Sequence, residues 1–328
     1  MKERVLITGA SGFVGYHLIL EALKNDLEVF AAVRKTSRTD HLTNLAIHYT
    51  NPDFGNIETL TQEIRANQYT YIIHAAGALR ARTLEEYNQI NGDYTFNLAT
   101  AAAAAGTVKK FVFISSLAAI GPLNQLEGQI TEQTPPHPIT AYGRSKLLAE
   151  ERLKTVQGLN YTVLRPTAVY GPRDKDIFIF LKQVAKGIEP YIGKAAQKLS
   201  FIYVSDLAAA TVLALYKGDG GTFNIGDQNV CYDRYQLGTL TKDILGVKTL
   251  KFHIPVNFVK LIAVIAEKVS SLRRKAPVLN TEKLNELKAV NWSCSIELAK
   301  TQLGFHPRYD LRSGLTEAFS WYKANKWL

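Results

Sequence analysis

The chain has 328 residues, of which 46% are hydrophobic and 21% charged, and its formal net charge is +10 at pH 7. These values exclude a disordered chain, a collagen-like chain and a small disulfide scaffold. The length predicts one or two domains. The two cysteines, Cys231 and Cys294, lack the spacing of a zinc site, so we expect no bound metal and a reducing, cytoplasmic location.

Strand-like and helix-like segments alternate in the first half of the chain. The predicted strands are 4–8, 27–33, 47–50, 69–75, 110–115 and 161–164. The predicted helices between them are 13–24, 57–67, 84–105 and 141–155. This alternation predicts an α/β fold with a doubly wound parallel sheet and helices on both faces. Later helices are predicted at 176–186, 206–217, 233–245, 255–270 and 311–326.

A glycine-rich loop joins the first strand to the first helix. Its sequence, Thr8-Gly9-Ala10-Ser11-Gly12-Phe13-Val14-Gly15, has the spacing G-x-x-G-x-x-G. Glycine lets the backbone turn tightly and approach a pyrophosphate, while the N–H groups at the start of the helix face the phosphate charge. The position between a strand and a helix therefore predicts dinucleotide binding by Gly9, Ser11, Gly12, Phe13, Val14 and Gly15.

The end of the second strand indicates which dinucleotide is bound. Sites that prefer NAD place a carboxylate there, and this chain has Arg34-Lys35-Thr36-Ser37-Arg38 instead. Arg34 can clamp a 2′-phosphate with two hydrogen bonds, and Lys35 or Arg38 can add charge. We favour NADP, with NAD as the alternative if these residues are solvated loop cations.

A Y-x-x-x-K pair begins the helix at 141–155. Tyr142 and Lys146 are four residues apart and therefore share one face of the helix. A phenol has a pKa of about 10, so it acts near neutral pH only if its phenolate is stabilised. Ser116 comes 26 residues before Tyr142 and follows Ser115 at the end of a strand, where a hydroxyl can donate to a substrate carbonyl oxygen.

These motifs occur with H-A-A-G at 74–77, R-P-T-A-V-Y-G-P-R-D at 165–174 and F-I-Y-V-S-D-L-A at 201–208. Together they resemble the extended short-chain dehydrogenases/reductases of the NAD-dependent epimerase/dehydratase family. The resemblance implies a Rossmann domain over 1–165, to which about 200–226 return. The remainder of 166–328 is expected to form a smaller, mostly helical substrate domain.

The resemblance also implies a role for each matching residue. Tyr142 is the acid–base, Lys146 binds the nicotinamide ribose and lowers the pKa of Tyr142, and Ser116 polarises the carbonyl. Asn91 either holds a water in a proton relay or ties the helix. Further cofactor contacts are implied at Tyr142 itself and at Asp53, Phe54, Ala75, Ala76, Gly77, Pro166 and Val169.

Departures from the family pattern reduce the number of reaction types that we expect for this chain. Leu117-Ala118 stands where sugar dehydratases of the family carry Asp-Glu, and Thr167-Ala168 stands where nucleotide-sugar members often carry Asn. An apolar pocket suits a hydrophobic ketone or alcohol better than a sugar phosphate. The predicted substrate contacts are Leu79, Ser116, Leu117, Tyr142 and Thr167.

The chain is thus most similar to the hydroxysteroid dehydrogenase and dihydroflavonol reductase branch. We expect an NAD(P)-dependent oxidoreductase that interconverts a ketone and a secondary alcohol on an apolar small molecule. The alternative is a redox-neutral nucleotide-sugar epimerase with tightly bound NAD. A non-catalytic nucleotide-sensing regulator is disfavoured, because Ser116, Tyr142 and Lys146 are all present.

The expected partners follow from charge and from the resemblance. Family members dimerise through helices that match 84–105 and 141–157, so we expect a homodimer. No basic run is interleaved with aromatics, so no nucleic-acid partner is expected.

The helix near 258–266, followed by Arg273-Arg274-Lys275, is interpreted as packed on the protein. The less favoured alternative is that this helix contacts a membrane surface or lines an apolar entrance for the substrate.

Overall fold

The computed structural model describes residues 2–272 and 281–328. The strands are β1 (Arg4–Thr8), β2 (Glu28–Ala32), β3 (Ile47–Thr50), β4 (Tyr71–His74), β5 (Lys110–Ile114), β6 (Tyr161–Pro166), β7 (Ala168–Tyr170), β8 (Ile188–Ile192), β9 (Lys198–Leu199), β10 (Phe201–Tyr203), β11 (Thr222–Ile225), β12 (Tyr232–Asp233) and β13 (Leu250–Ile254). The helices are α1 (Phe13–Lys24), α2 (Ile57–Asn67), α3 (Leu84–Tyr87), α4 (Tyr94–Ala105), α5 (Ala141–Leu153), α6 (Asp176–Ala185), α7 (Val204–Leu213), α8 (Gln236–Leu245), α9 (Val256–Leu272), α10 (Thr281–Lys288) and α11 (Leu311–Ala324).

Seven parallel strands form the central sheet in the order β11-β6-β5-β4-β1-β2-β3. The predicted doubly wound sheet is therefore confirmed. The chain runs outward from β1 through β2 to β3, and then returns to β4 on the other side of β1. In such sheets ligands bind beyond the carboxyl ends of the strands, at the point where the strand order reverses. Here that point lies between β1 and β4.

The two faces of the sheet carry separate apolar cores, because side chains along a strand point alternately to opposite faces. Val5 and Ile7 of β1 pack with α1 and α7 in one core. Leu6, between them, packs with α2, α4 and α5 in the other core. Helices thus cover both faces, as a buried parallel sheet requires. The homodimer that we expected through α4 and α5 stays a prediction.

The helix predicted over 84–105 is interrupted in the structure. It consists of α3, a π-helical turn at Asn88–Asp93, and α4. The interruption lies at Asn91 and Gly92, both of which are buried. A π-turn inserts an extra residue into the helical ladder and is frequent at functional sites. Apolar spacing alone does not reveal this turn, because the residues on either side keep helical periodicity.

Beyond β6 the chain alternates between the sheet and a second group of elements. Within the segment 200–226, α7 packs on α1 and β11 pairs with β6 at one edge of the sheet. Helices α6, α8 and α11 enclose another apolar core around Phe178 and Tyr322. Short strands pair locally as β7 with β10, β8 with β13, and β9 with β12. Arg273-Arg274-Lys275 lies outside the described residues.

Candidate active site at the carboxyl edge of the sheet

The glycine loop between β1 and α1 lies against the end of β4. Gly9 has a φ of +69°, and a Cβ added there would stand 2.7 Å from the carbonyl oxygen of Ala75. A Cβ at Gly15 would overlap the carbonyl oxygen of Gly9. Gly12 precedes α1 without a side-chain cap, which leaves the first N–H groups of the helix available to an anion. The loop therefore fits the pyrophosphate of a dinucleotide.

The other residues predicted to contact the cofactor lie at the same edge. Because the carboxyl ends of parallel strands meet at one edge, the structure brings together residues that are far apart in sequence. They are Ser11, Phe13 and Val14 in the loop and first turn of α1, Asp53 and Phe54 after β3, Ala75, Ala76 and Gly77 after β4, Pro166 at the end of β6 and Val169 in β7.

The three predicted cations, Arg34, Lys35 and Arg38, lie in the segment after β2, and all three are exposed. The hydroxyl of Ser37 accepts the backbone N–H of Arg34 at 3.1 Å, and this hydrogen bond holds the turn. Strand β2 lies next to β1, so Arg34 emerges beside the glycine loop. This position is compatible with a contact to the adenosine ribose or its 2′-phosphate.

His41 is a further residue at the glycine loop that sequence reasoning missed. It lies in a short 3-10 turn at Asp40–Leu42 and hydrogen-bonds the backbone of Ser11. Burial, followed by the nearby charge of Arg173, lowers the pKa of His41. No motif marks this histidine. Its place beside the loop depends on how the segment after β2 folds back.

Ser116, Tyr142 and Lys146 come together beyond β5. Ser116 lies two residues after β5, and the other two lie in the first turns of α5. The hydroxyl of Thr140 caps α5 by accepting the backbone N–H of Gly143 at 3.0 Å. The Ser116 hydroxyl hydrogen-bonds the phenol of Tyr142. Nζ of Lys146 donates to the carbonyl oxygen of Ile114 at 2.7 Å.

Burial shifts the pKa values of this pair in opposite directions. It raises the pKa of Tyr142 to about 12, and the hydrogen bond from Ser116 opposes the rise. It lowers the pKa of Lys146 to about 7, and the charge of Glu150 opposes the fall. Each group is thus biased toward its neutral form, because desolvation disfavours charge. A positive charge brought beside Tyr142 would favour the phenolate.

Asn91 joins the π-helical turn to two neighbouring elements. Its Oδ1 accepts the backbone N–H of Ala78 at 2.7 Å. Its Nδ2 donates to the carbonyl oxygen of Ala78 at 3.1 Å and to the hydroxyl of Ser145 at 2.8 Å. Of the two roles that we considered for Asn91, these contacts favour the tie between the loop after β4 and α5.

His74, at the end of β4, continues this set of hydrogen bonds toward the glycine loop. Its Nδ1 lies 2.7 Å from the hydroxyl of Thr8, and its Nε2 lies 2.9 Å from the hydroxyl of Thr95. The Thr95 hydroxyl donates to the carbonyl oxygen of Asn91, so it accepts from Nε2 of His74. Burial lowers the pKa of His74 to about 3, which keeps the ring neutral. The chain of contacts fixes the spacing between β1, β4 and α4.

Glu150 forms a buried ion pair one turn beyond Lys146. Arg165 donates to Glu150 from Nε at 3.0 Å and from Nη2 at 2.5 Å. The hydroxyl of Ser115 donates to Oε1 of the same carboxylate at 2.5 Å. Removing one member would leave a buried charge without a partner, which is strongly destabilising. The pair therefore joins α5 to β6 behind the catalytic edge.

The residues predicted to contact substrate do not form one apolar wall. Leu79 is well exposed, whereas Leu117 is buried in a cluster with Ile120 and Cys294. Thr167 is also buried. The ring of Tyr142 packs instead with small and aromatic residues, which are Ala78, Ala81, Tyr87 and Ala141.

Helix α10 contacts the start of α5, a contact that local sequence patterns do not predict. Oε2 of Glu282 accepts the backbone N–H of Ala141 at 2.5 Å, and Oε1 accepts from Arg144 at 2.5 Å. Ala141 immediately precedes Tyr142. The position of α10 is therefore linked to the first turn of the helix that carries the tyrosine.

Within residues 2–272 and 281–328, no group of three or more His, Cys, Asp or Glu side chains is placed to hold a metal ion. Within the same ranges, no helix has the length and apolar character needed to cross a membrane. The cellular location stays a prediction.

Comparison with known proteins identifies the family. The sequence model of the NAD dependent epimerase/dehydratase family matches residues 5–226. The chain belongs to this family. Its cofactor is therefore a nicotinamide dinucleotide, and the fit of the glycine loop to a pyrophosphate agrees with this assignment. The predicted membership of the extended short-chain dehydrogenases/reductases, which are enzymes, is confirmed.

The chain is similar to a reductase, a dehydrogenase and the solved structure of an epimerase. Ceramide reductase of Caulobacter vibrioides is 26% identical over 99% of this chain and 96% of its own length. Sterol-4-alpha-carboxylate 3-dehydrogenase, decarboxylating, of Candida albicans is 26% identical over 97% of each chain. The crystal structure of UDP-glucose 4-epimerase from Thermotoga maritima, with UDP-glucose, has a TM-score of 0.79 at 24% identity, covering 98% of this chain and 99% of that one.

Proposed function

We propose that this enzyme is an NADP-dependent oxidoreductase that interconverts a ketone and a secondary alcohol on an apolar small molecule. The observation that carries the proposal is the hydrogen bond between the Ser116 hydroxyl and the half-buried phenol of Tyr142, with Lys146 one turn further along α5. A proton donor, its polarising partner and an ammonium group are the parts that carbonyl reduction requires.

A bound oxidised nicotinamide would supply the acceptor for the hydride from the substrate C–H bond, and its positive charge would favour the phenolate form of Tyr142. In the direction of oxidation, the phenolate of Tyr142 takes the hydroxyl proton of the substrate while the C=O bond forms. Ser116 donates a hydrogen bond to that oxygen. In the direction of reduction, the phenol of Tyr142 returns the proton. Lys146, with its lowered pKa, is suited to hold or release a proton near neutral pH.

The preference for NADP rests on Arg34, with Lys35 and Arg38 adding positive charge. Arg34 is exposed beside the glycine loop and is held in its turn by Ser37. A guanidinium can bind a 2′-phosphate through two hydrogen bonds, which a 2′-hydroxyl cannot match in strength. His41 lies on the same side of the loop, where its ring hydrogen-bonds the backbone of Ser11.

An apolar substrate is supported by the residues around Tyr142 and by the relatives. Ala78, Ala81 and Tyr87 pack at the phenol, and Leu79 is exposed nearby in sequence. The ceramide reductase and the sterol dehydrogenase are named for lipids, and each aligns over nearly its whole length. We therefore place the substrate among hydrophobic ketones and alcohols.

The second candidate is a redox-neutral nucleotide-sugar epimerase with tightly bound NAD. It is favoured by the fold similarity to the Thermotoga maritima enzyme, which was crystallised with UDP-glucose. It is disfavoured by Thr167 and Ala168, which replace a polar contact, and by the cation Arg34 where NAD sites place a carboxylate.

The first test identifies the nucleotide that the purified protein carries. The protein is denatured, and the released nucleotide is identified by mass spectrometry. NADP(H), or an empty site, supports net oxidation or reduction with an exchangeable cofactor. NAD retained in stoichiometric amount contradicts the proposal and favours the epimerase.

A second test examines the substrate. Oxidation of NADPH is followed with a series of ketones of increasing apolar chain length, and turnover that rises with chain length supports the apolar substrate.

A further inference from the structure

Helix α9 exposes an apolar stripe to solvent. Phe258, Leu261, Ile262 and Ile265 follow the spacing i, i+3, i+4, i+7, which places them on one face of the helix. Their exposed fractions are 56, 57, 43 and 51%. Contiguous exposed side chains of this size are uncommon in soluble monomers and mark sites of interaction.

The opposite face of the same helix is packed normally. Val259 and Ala263, four residues apart, are buried. Oε1 of Glu267 accepts the backbone N–H of Thr281 at 2.7 Å, and this contact ties α9 to α10. The helix is therefore anchored on the protein through its buried side, and the apolar stripe is an additional surface.

Exposed apolar residues also occur in the strand that precedes α9. Leu250 and Phe252 of β13 point to the same face of their strand and are exposed. Leu250 pairs with Ile188 of β8, which is exposed as well. Pro255 is the single residue between β13 and α9. The name apolar patch is used below for these three residues together with the stripe on α9.

The amino-acid sequence of the segment that contains α9 is predominantly basic. Residues 246–280 of the sequence contain seven Lys and Arg, namely Lys248, Lys251, Lys260, Lys268, Arg273, Arg274 and Lys275. The same segment contains one acidic residue, Glu267, and its carboxylate is occupied by Thr281. An apolar face with basic flanks is the composition of helices that lie in the interface of anionic membranes.

We propose that the apolar patch docks the protein on the surface of an anionic lipid bilayer, with α9 lying in the plane of the interface. A stable protein partner would need about 20–30 residues on each side, and the patch offers far fewer. Since α10 joins α9 to the first turn of α5, docking would place the Tyr142 site near the bilayer. The value of this placement rests on the proposed function, because an apolar substrate would then reach the Tyr142 site from the membrane.

The test measures co-flotation of the full chain with vesicles. Wild type should bind vesicles that contain phosphatidylglycerol more strongly than vesicles of phosphatidylcholine alone, and added salt should weaken the binding. The double variant F258S/L261S should partition at least about tenfold more weakly, since each exposed side chain loses its apolar contact with the bilayer. Ile179→Ser is the matched control, because Ile179 on α6 is also 56% exposed but lies outside the patch.

Two more variants test the electrostatic contribution to vesicle binding and the independence of binding from catalysis. Lys260→Glu should weaken binding to anionic vesicles and leave binding to neutral vesicles unchanged. Tyr142→Phe should float with vesicles like wild type, so a failed reaction and a failed docking are distinguishable. The proposal is overturned if wild type does not bind anionic vesicles, or if F258S/L261S binds like Ile179→Ser. It is also overturned if the double variant converts a dimer to a monomer, because the patch would then be a protein interface.

Discussion

The sheet edge around Tyr142 and the outer face of α9 are built in opposite ways. At the edge, polar side chains are buried and paired, as His74, Asn91 and Glu150 illustrate. On α9, apolar side chains such as Phe258 and Leu261 are exposed. Buried polar groups need partners within the fold, whereas exposed apolar groups gain nothing from it. The positions of the side chains at the sheet edge are therefore set by contacts within the protein. The exposed side chains of α9 instead indicate a surface for interaction with another molecule.

The strongest test of the sheet edge is Tyr142→Phe. Turnover should fall by about 10²–10⁴-fold, because the variant cannot exchange the substrate proton. Nucleotide affinity should stay unchanged, since the ring still packs with Ala81 and Tyr87. Steady-state kinetics and a fluorescence titration measure the two quantities. Tyr216→Phe, at an exposed tyrosine, is the control. Full turnover in the Tyr142 variant would remove the phenol from the reaction.

Substitution of Gly9 tests how closely the glycine loop approaches β4. Gly9→Ala should cost about 3 kcal/mol of unfolding free energy, because it combines a positive φ with a clash against Ala75. Gly158→Ala should cost about 1–2 kcal/mol, because Gly158 also has a positive φ but open space around it. Urea unfolding of both variants gives the difference. Equal costs would mean that the approach to Ala75 is unimportant.

Stability at acid pH should depend on His17, which lies near the loop. Its Nε2 is 3.0 Å from the carbonyl oxygen of Pro172, and burial lowers its pKa to about 4. Between pH 6.5 and about 4 the unfolded state binds a proton that the native state does not, so stability falls as pH falls through this window. His17→Gln keeps a donor for Pro172 and does not titrate. At pH 5 it should remove about 2 kcal/mol of this loss, measured by urea unfolding. An unchanged pH slope would contradict the assignment.

The smallest expected effect concerns Arg34. Arg34→Ala should weaken NADP binding about tenfold by removing a charged hydrogen bond to the 2′-phosphate, and should leave NAD binding unchanged. Isothermal titration with both nucleotides measures the ratio. Lys24→Ala, at an exposed cation at the end of α1, controls for the general positive field. Equal weakening of both nucleotides would show that Arg34 does not discriminate between them.

Local patterns predicted the first half of the fold well. The bounds of β1, α1, β3 and α2 agree with the predicted segments, because apolar runs, glycine and capping residues determine them locally. The short strands β7, β8, β10 and β13 were not predicted. Each has three to five residues and is defined by pairing with a partner far along the chain, which periodicity does not reveal.

The residues of the candidate site also divide into those that local motifs predict and those that only tertiary packing brings to the site. The glycine loop and the trio Ser116, Tyr142 and Lys146 were predicted from motifs, and the structure brings the trio together. His41 and Glu282 were not predicted, because tertiary packing alone brings them to the site. Glu282 lies 141 residues beyond Ala141, the backbone of which it contacts. The wall of the substrate pocket was expected from single apolar residues, and Leu117 lies instead in a buried cluster.

The contact of Glu282 with Ala141 and Arg144 has a practical consequence for exchanging substrate segments between relatives. A chimera that replaces 246–288 removes an acceptor from the first turn of α5, even though every motif residue remains in place. Such a graft must carry an acidic residue at position 282, or change Arg144 at the same time. Glu282 and Arg144 therefore have to be exchanged or kept together, although they lie in different halves of the chain.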